Sequence, residues 1–175
     1  MQSIAVVGAG TMGHGIAQVL VRNGYSVVLH DTTQELVGRG AEKISRGLGR
    51  DVEKGRLTAE EKQQAESRLK TTVELSDLAS SDIVIEAVTE KFDVKAEVFR
   101  SLDALCRPEA LFASNTSSIS ITRLAGVTRR PARFVGLHFF NPVPVMKLVE
   151  VVPGLDTAEE TITAAEQIAT AVGKT

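Results

Sequence analysis

The stretch Ser3-Ile-Ala-Val-Val-Gly-Ala-Gly-Thr-Met-Gly13 decides the fold. Its first five residues form a short apolar run rich in β-branched side chains, which is typical of a strand buried on both faces. From Met12 onward, the apolar residues Ile16, Val19 and Leu20 recur at helical spacing. The glycine-rich turn therefore joins a predicted strand to a predicted helix.

A second buried strand is predicted at Ser26-Val-Val-Leu-His30, after Asn23-Gly24 stops the helix. A strand, a helix and a strand in one sheet form a parallel, right-handed unit. The β/α alternation continues, with further strands predicted at residues 82–88, 110–114 and 133–137 and a helical segment at 94–106. Residues 147–152 are predicted as a late edge strand. An antiparallel direction is favoured for it, because too few residues precede it for a helical crossover.

The segment from about residue 33 to residue 70 interrupts this alternation, because it is long, charged and without a predicted strand. Gly55 divides it, and Thr58-Ala-Glu-Glu61 is a capping box that opens its second helix. A similar box at residues 157–160 predicts a last helix that runs to Gly173. The predicted fold class is therefore α/β: a Rossmann-like, doubly wound, mostly parallel sheet with a helical-hairpin excursion after strand two, in one domain over residues 1–175.

The composition excludes several classes of protein. The 175 residues are 43% hydrophobic and 24% charged, which is the balance of a folded domain. Twenty Lys and Arg against 22 Asp and Glu give a net charge of −2, so no overall basic field exists to hold a nucleic acid or an anionic membrane. Cys106 is the only cysteine, which excludes an internal disulfide and a thiolate metal cluster. We predict no metal site and a cytoplasmic location.

The glycines Gly8, Gly10 and Gly13 form the pattern G-x-G-x-x-G in the context that a dinucleotide site requires. The pattern follows a predicted strand and opens a helix, and Asp31 ends the second strand. A diphosphate would bind the free amides at the helix N-terminus. Asp31 would accept hydrogen bonds from ribose hydroxyls and repel a 2′-phosphate, which favours NAD over NADP.

A second concentration of functional residue types lies at residues 137–144, after a predicted strand. His138 is a candidate general base, because its ordinary pKa lies near neutrality. Glu150 is its candidate partner, since a lone carboxylate in an apolar strand is costly unless it is paired. The polar cluster at residues 113–118 could bind a reacting oxygen. The residues alone leave open a core histidine, a surface glutamate and a serine-rich turn.

The segments Gly8 to Ala17, Ala113 to Ser118 and His138 to Glu150 together resemble the NAD-binding domain of 3-hydroxyacyl-CoA dehydrogenases, including bacterial 3-hydroxybutyryl-CoA dehydrogenases. The resemblance covers the whole chain. It implies hydride transfer between NAD and the C3 hydroxyl or ketone of a 3-hydroxyacyl-CoA or 3-ketoacyl-CoA. It also implies that His138 is the catalytic base, Glu150 its partner and Ser117 the donor to the substrate's 3-oxygen.

The predicted cofactor site combines the glycine motif with residues that the resemblance places beside the ribose and nicotinamide. Glu90 also closes a predicted strand at the cofactor edge, and Lys95 opens the next helical segment within expected reach of ribose or phosphate oxygens. An exposed pair at a helix start is the alternative. The complete predicted set is Gly8, Gly10, Thr11, Met12, Gly13, Asp31, Glu90, Lys95, Asn115 and Asn141.

The helical excursion carries Lys43, Arg46, Arg50 and Lys54, which make one face basic. The resemblance places contacts to the phosphates of CoA here, at Lys54 and Arg50. A solvated face balanced by nearby carboxylates, Asp51 among them, is the alternative.

Members of the family carry a second, all-helical domain that completes the acyl pocket and forms a homodimer. We therefore expect this chain to be the cofactor domain of a longer enzyme, with little turnover alone. The alternatives are a stand-alone NAD-binding module or subunit without dehydrogenase activity, and a related dehydrogenase that acts on a free sugar acid.

Overall fold

A computed structural model describes residues 3–175, which fold around a seven-stranded sheet. The strands are β1 Ser3–Val7, β2 Ser26–His30, β3 Leu69–Thr72, β4 Ile83–Glu86, β5 Leu111–Ser114, β6 Phe134–Phe139 and β7 Val149–Pro153. The helices are α1 Thr11–Arg22, α2 Gln34–Glu53, α3 Ala59–Ser67, α4 Phe92–Leu105, α5 Ile121–Ala125 and α6 Glu159–Ala171. This confirms the predicted Rossmann-like fold class.

The strand order is β3-β2-β1-β4-β5-β6-β7, and only β7 runs antiparallel to its neighbour. The order reverses between β1 and β4, which is where open α/β sheets bind their ligands. The carboxyl ends of β1, β4 and β5 lie side by side there, because Val7 pairs with Glu86 and Glu86 with Ser114. Residues that follow these strands therefore converge at one edge of the sheet.

Helices cover both faces of the sheet, as the continuous apolar strands require. One core cluster packs α1, α2 and α6 on one face, and a second packs α4 and α5 on the other. Phe99 of α4 contacts the rings of Phe112 and Phe134 at centroid distances of 5.7 and 4.6 Å. Within residues 3–175, no helix is long and apolar enough to cross a membrane.

The predicted helix pair of the excursion is confirmed as α2 and α3. Gly55 between them adopts φ +66°, and the capping box of Thr58 and Glu61 is formed in both directions. The prediction that this segment contains no strand was wrong at its end, since Leu69 and Lys70 begin β3. β3 lies at the edge of the sheet, where it pairs with β2 alone and half of its side chains are exposed. Its sequence therefore lacks the continuous apolar run by which a buried strand is recognised.

The predicted capping box at residues 157–160 was also wrong. The helix α6 begins at Glu159 after Ala158 and has no side-chain cap. The Thr157 hydroxyl instead donates to the carbonyl of Phe134 at 2.7 Å and accepts from the amide of Gly154 at 2.8 Å. The Thr157 side chain therefore forms a tertiary hydrogen bond to β6 instead of capping the helix, as the local pattern had predicted.

Candidate active site

The glycine-rich loop joins β1 to α1 at the sheet's switch point. Gly8 adopts φ +99°, and a Cβ there would lie 2.7 Å from the carbonyl oxygen of Ala87, which directly follows the neighbouring strand β4. A Cβ on Gly13 would lie 1.6 Å from the carbonyl oxygen of Gly8, so only glycine lets the helix approach the strand this closely. Both residues are required by the protein's own packing.

Gly10 is different, because a Cβ there would meet no heavy atom of the protein within 4 Å. Gly10 is the N-cap residue of α1, which begins without a side-chain cap and without an acidic residue in its first turn. The first helical amides, those of Thr11, Met12 and Gly13, thus present the positive end of the helix dipole. This donor set fits a diphosphate, and a ligand is what would require glycine at position 10.

Asp31 lies directly after β2, beside the glycine-rich loop. Its Oδ2 accepts the amide of Ala9 at 2.8 Å, and its Oδ1 accepts the amide of Thr32 at 2.7 Å. These bonds orient the carboxylate, whose remaining lone pairs can accept two hydroxyl groups. The arrangement fits the ribose of NAD.

His138 and Glu150 face each other on the antiparallel strands β6 and β7. The distance from His138 Nδ1 to Glu150 Oε2 is 2.9 Å. A carboxylate can only accept, so in the neutral ring Nδ1 carries the proton and Nε2 keeps a lone pair, as a general base requires. The predicted pairing is therefore present in the structure.

Ser117 lies opposite this pair on the loop after β5, and Glu90 holds that loop in place. The Oε1 atom of Glu90 accepts the amide of Ser117 at 2.9 Å and the hydroxyl of Thr116. Partial burial acts to raise the pKa of Glu90, but the Thr116 bond, the charge of Lys95 and the Ser117 amide outweigh it and hold that pKa at about 2. Glu90 is ionised at any physiological pH.

Two cavities meet at His138 and Ser117, which line both. The first, about 320 Å³, is bounded by Met12 of the glycine-rich loop and by Glu90. The second, about 200 Å³, lies on the side of Glu150. A hydride donor and acceptor could therefore lie on the two sides of His138 and Ser117.

Asn115 and Asn141 both line the larger cavity. The Oδ1 atom of Asn115 accepts the amide of Phe139 at 2.8 Å, which leaves its amide nitrogen as the group to donate to a ligand. Asn141 lies on the loop after β6. The structure thus brings these residues together with the glycine motif, Glu90, Ser117 and His138.

The predicted contact between Lys95 and the cofactor stays a prediction. Lys95 is the fourth residue of α4 and is only 1% exposed, with its ammonium among Glu86, Glu90 and Val88. The helix begins at Phe92, two residues earlier than the predicted start at residue 94, and the Lys95 side chain points into the protein.

Two further residues at the site were not found from the sequence. Glu86 ends β4 and is fully buried. A carboxylate at the end of an apolar strand is costly unless it is paired, so its position in the sequence could have marked it as a candidate. Lys174 donates to the carbonyls of Val143 and Met146, each at 2.6 Å, and so holds the loop that carries Asn141. Burial lowers the pKa of Lys174, and nothing in the sequence pattern marks it.

The predicted basic face of α2 is exposed at Lys43, Arg46, Arg50 and Lys54. None of these four forms an ion pair within residues 3–175. Asp51, a predicted counter-charge, is buried and pairs with Arg22 at 3.0 Å and Arg56 at 3.7 Å. Burial is the main cause that lowers the pKa of His14 in the first turn of α1, and the charges of Lys43 and Arg50 add to it, so this face lies near the glycine-rich loop.

A glycine-rich loop at the switch point, with an acid after the second strand, defines a dinucleotide-binding domain of the Rossmann class. The sequence model of the family described as "3-hydroxyacyl-CoA dehydrogenase, NAD binding domain" matches residues 3–175. The chain belongs to this family, which confirms the resemblance seen in the sequence and the prediction of NAD as cofactor.

Known proteins agree with this assignment. The chain is 45% identical over 174 residues to a 3-hydroxybutyryl-CoA dehydrogenase of Bradyrhizobium diazoefficiens, covering 99% of the chain and 59% of that relative. It is 46% identical over 162 residues to a 3-hydroxyadipyl-CoA dehydrogenase of Escherichia coli, covering 93% of the chain and 34% of that protein. The crystal structure of (S)-3-hydroxybutyryl-CoA dehydrogenase from Ralstonia eutropha superposes with a TM-score of 0.97 at 44% identity, covering 99% of the chain and 62% of the structure. The chain thus spans less than two thirds of the length of these relatives.

Proposed function

We propose that this chain is the cofactor-binding and proton-transfer part of an NAD-dependent dehydrogenase that acts on C3 of a 3-hydroxyacyl-CoA, such as 3-hydroxybutyryl-CoA. The observation that carries the proposal is the 2.9 Å contact between His138 and Glu150 beside the cavity that the glycine-rich loop bounds. A domain that only binds NAD has no use for a histidine whose tautomer a carboxylate fixes.

The reaction removes a hydride from C3 and a proton from the C3 hydroxyl. NAD, when bound, would supply the nicotinamide C4 as the acceptor for this hydride. His138 takes the hydroxyl proton on Nε2, and the carboxylate of Glu150 stabilises the imidazolium that forms. In the reverse direction, His138 returns this proton to the oxygen of a 3-ketoacyl-CoA while the Ser117 hydroxyl donates to the same oxygen.

Other residues hold the cofactor. The amides of Thr11, Met12 and Gly13 would bind the diphosphate, and Asp31 the adenosine ribose. Glu90, Asn115 and Asn141 line the cavity on the nicotinamide side. Lys95 supports this side from inside the protein.

The exposed basic face of α2 supports CoA as the carrier of the acyl group. Arg50 and Lys54 would contact phosphates of CoA, since guanidinium and ammonium groups without ion-pair partners are suited to bind them. A dehydrogenase of free sugar acids would not need this face.

We also propose that the intact protein contains a second, helical domain, forms a homodimer through it and works in the cytoplasm. The length of the relatives supports the second domain, because the matched segment is 59% of one of them. Exposed apolar side chains beside the site offer a surface for it: Val145, Met146, Leu148 and Val152. A native mass of one chain for the intact protein would contradict the dimer.

The test is turnover of acetoacetyl-CoA with NADH by the intact protein, followed as loss of NADH absorbance, together with calorimetric titration of NADH. We expect turnover in the wild type and its loss in His138→Asn with NADH affinity unchanged. Asp31→Ala should weaken NADH binding about tenfold, since it removes a charge-assisted bond, while Asp156→Ala, an exposed aspartate, serves as the matched control. NADH binding without turnover in the wild type would favour a binding module instead.

A further inference from the structure

A buried ion pair lies directly beneath the candidate site. Glu86 is 0% exposed and Lys95 is 1% exposed, and the distance from Lys95 Nζ to Glu86 Oε1 is 2.6 Å. Every oxygen of Glu86 has a donor: Oε1 also accepts the amide of Val88 at 2.7 Å, and Oε2 accepts the hydroxyl of Ser114 at 2.6 Å. Burial of two charges is costly, so a pair this complete points to a specific task.

Contacts within the protein fix the position of Lys95. Its ammonium has three protons, and three acceptors surround it: Glu86 at 2.6 Å, Glu90 Oε2 at 3.1 Å and the carbonyl of Val88 at 3.3 Å. Glu86 is the last residue of β4, and Val88 and Glu90 belong to the turn between β4 and α4. Lys95 therefore closes this turn around itself and fixes the position of Glu90.

Glu90 in turn holds the loop after β5 in place. Its other oxygen, Oε1, accepts the amide of Ser117 at 2.9 Å and the hydroxyl of Thr116. The amide bond fixes where the loop presents the Ser117 side chain. A continuous chain of contacts thus runs from Glu86 through Lys95 and Glu90 to Ser117.

We propose that Glu86 and Lys95 are positioning residues that hold the Ser117 loop in its reactive place through Glu90. The catalytic consequence rests on the proposed function, whereas the positioning itself does not. The fold brings these residues together because Glu86 pairs with Ser114 between β4 and β5, so the turn and the loop start side by side.

The first measurement is hydrogen exchange at the Ser117 amide in the intact protein without cofactor. In Lys95→Met, we expect this amide to exchange about tenfold faster, since its bond to a charged acceptor loses its support, while the amides of β1 stay protected. A ligand role could not produce this change, because it acts only when the cofactor is bound. The exposed Lys70→Met is the matched control and should leave Ser117 unchanged.

Lys95→Met leaves Glu86 buried without its counter-charge and could unfold the domain, which loss of protection in β1 would reveal. The double variant Glu86→Gln with Lys95→Met removes both charges and keeps the measurement decisive. Exchange of Ser117 at the wild-type rate, in a variant whose β1 amides remain protected, would overturn the proposal.

The second measurement is a double-mutant cycle on kcat for acetoacetyl-CoA reduction, with Lys95→Met, Ser117→Ala and both together. If Lys95 acts through Ser117, kcat of the double variant should be no lower than kcat of the slower single variant. The double variant would then be about tenfold or more faster than the product of the two single effects predicts. Effects that multiply would contradict the proposal. A wild type without turnover would refute the dehydrogenase function, and the exchange experiment would still decide the positioning role.

Discussion

His138 and Glu150 are opposite partners across the antiparallel strands β6 and β7, with Nδ1 and Oε2 2.9 Å apart. The sheet fixes their alignment, because a shift of β7 by one residue would turn Glu150 to the other face. His138 is 17% exposed and Glu150 52% exposed, so the carboxylate reaches the imidazole from the solvent side. The orientation of the base is therefore a property of strand register.

We predict that Glu150→Gln lowers kcat on the order of 10²-fold or more, within the range that general base catalysis supplies. The amide keeps the size of the side chain but cannot stabilise the imidazolium. NADH affinity should not change. Steady-state kinetics and NADH titration of the intact protein measure both quantities, and Glu166→Gln, an exposed glutamate on α6, is the control.

Substitutions of Gly10 and Gly13 at the start of α1 should affect different properties, NADH binding in the first case and stability of the fold in the second. Gly10→Ala should leave thermal stability unchanged, because the new Cβ meets no protein atom within 4 Å, and should abolish tight NADH binding. Gly13→Ala should destabilise the fold by about 1–3 kcal/mol, since its Cβ would lie 1.6 Å from a backbone oxygen. Thermal melts and NADH titration of both variants test this. Equal effects of the two substitutions on stability would contradict it.

The first βαβ unit was predictable from the sequence because its buried strands are continuous apolar runs, and β1 and β2 have the expected bounds. The strand β3 was not, because Leu69-Lys-Thr-Thr72 contains one apolar residue and is defined by a neighbour distant in sequence. Thr157 shows the same limit, since its local pattern competes with a bond to Phe134 that only the folded chain offers.

The candidate site was predictable where a residue's chemistry demanded a partner. Glu150 in an apolar strand required a partner, and His138 as a general base required an orienting group. The burial of Lys95 was not predictable, because the direction of its side chain depends on the residue at which α4 begins, which the sequence does not define sharply. Its ammonium lies inward among acceptors at the end of β4 and in the β4–α4 turn, and no spacing rule describes that arrangement.

The basic face of α2 should discriminate between ligands by their phosphates. We predict that Arg50→Ala with Lys54→Ala raises the Kd for acetoacetyl-CoA about tenfold, because exposed contacts to phosphate contribute modestly, and that rising salt diminishes the difference. Free acetoacetate should show no such difference. Titrations at two salt concentrations, with exposed Lys70→Ala as control, measure it. Equal Kd values for the double variant and the wild type at low salt would exclude these residues from the CoA site.

Glu90 should stabilise the protein in a pH-dependent way. Its pKa is lowered from 4.5 to about 2 in the folded chain, so the unfolded chain binds the proton more tightly. The stabilisation is therefore complete above about pH 4.5 and is lost as the pH falls toward 2. We predict that the difference in unfolding free energy between wild type and Glu90→Gln is constant from pH 7 to 5 and shrinks from pH 4.5 to 3, because glutamine does not titrate.

Denaturant unfolding at each pH measures this difference, and Glu166→Gln, whose wild-type carboxylate is exposed on α6, should show no comparable change. A difference that stays constant down to pH 3 would mean that the bonds to Thr116, Ser117 and Lys95 do not hold the charge of Glu90.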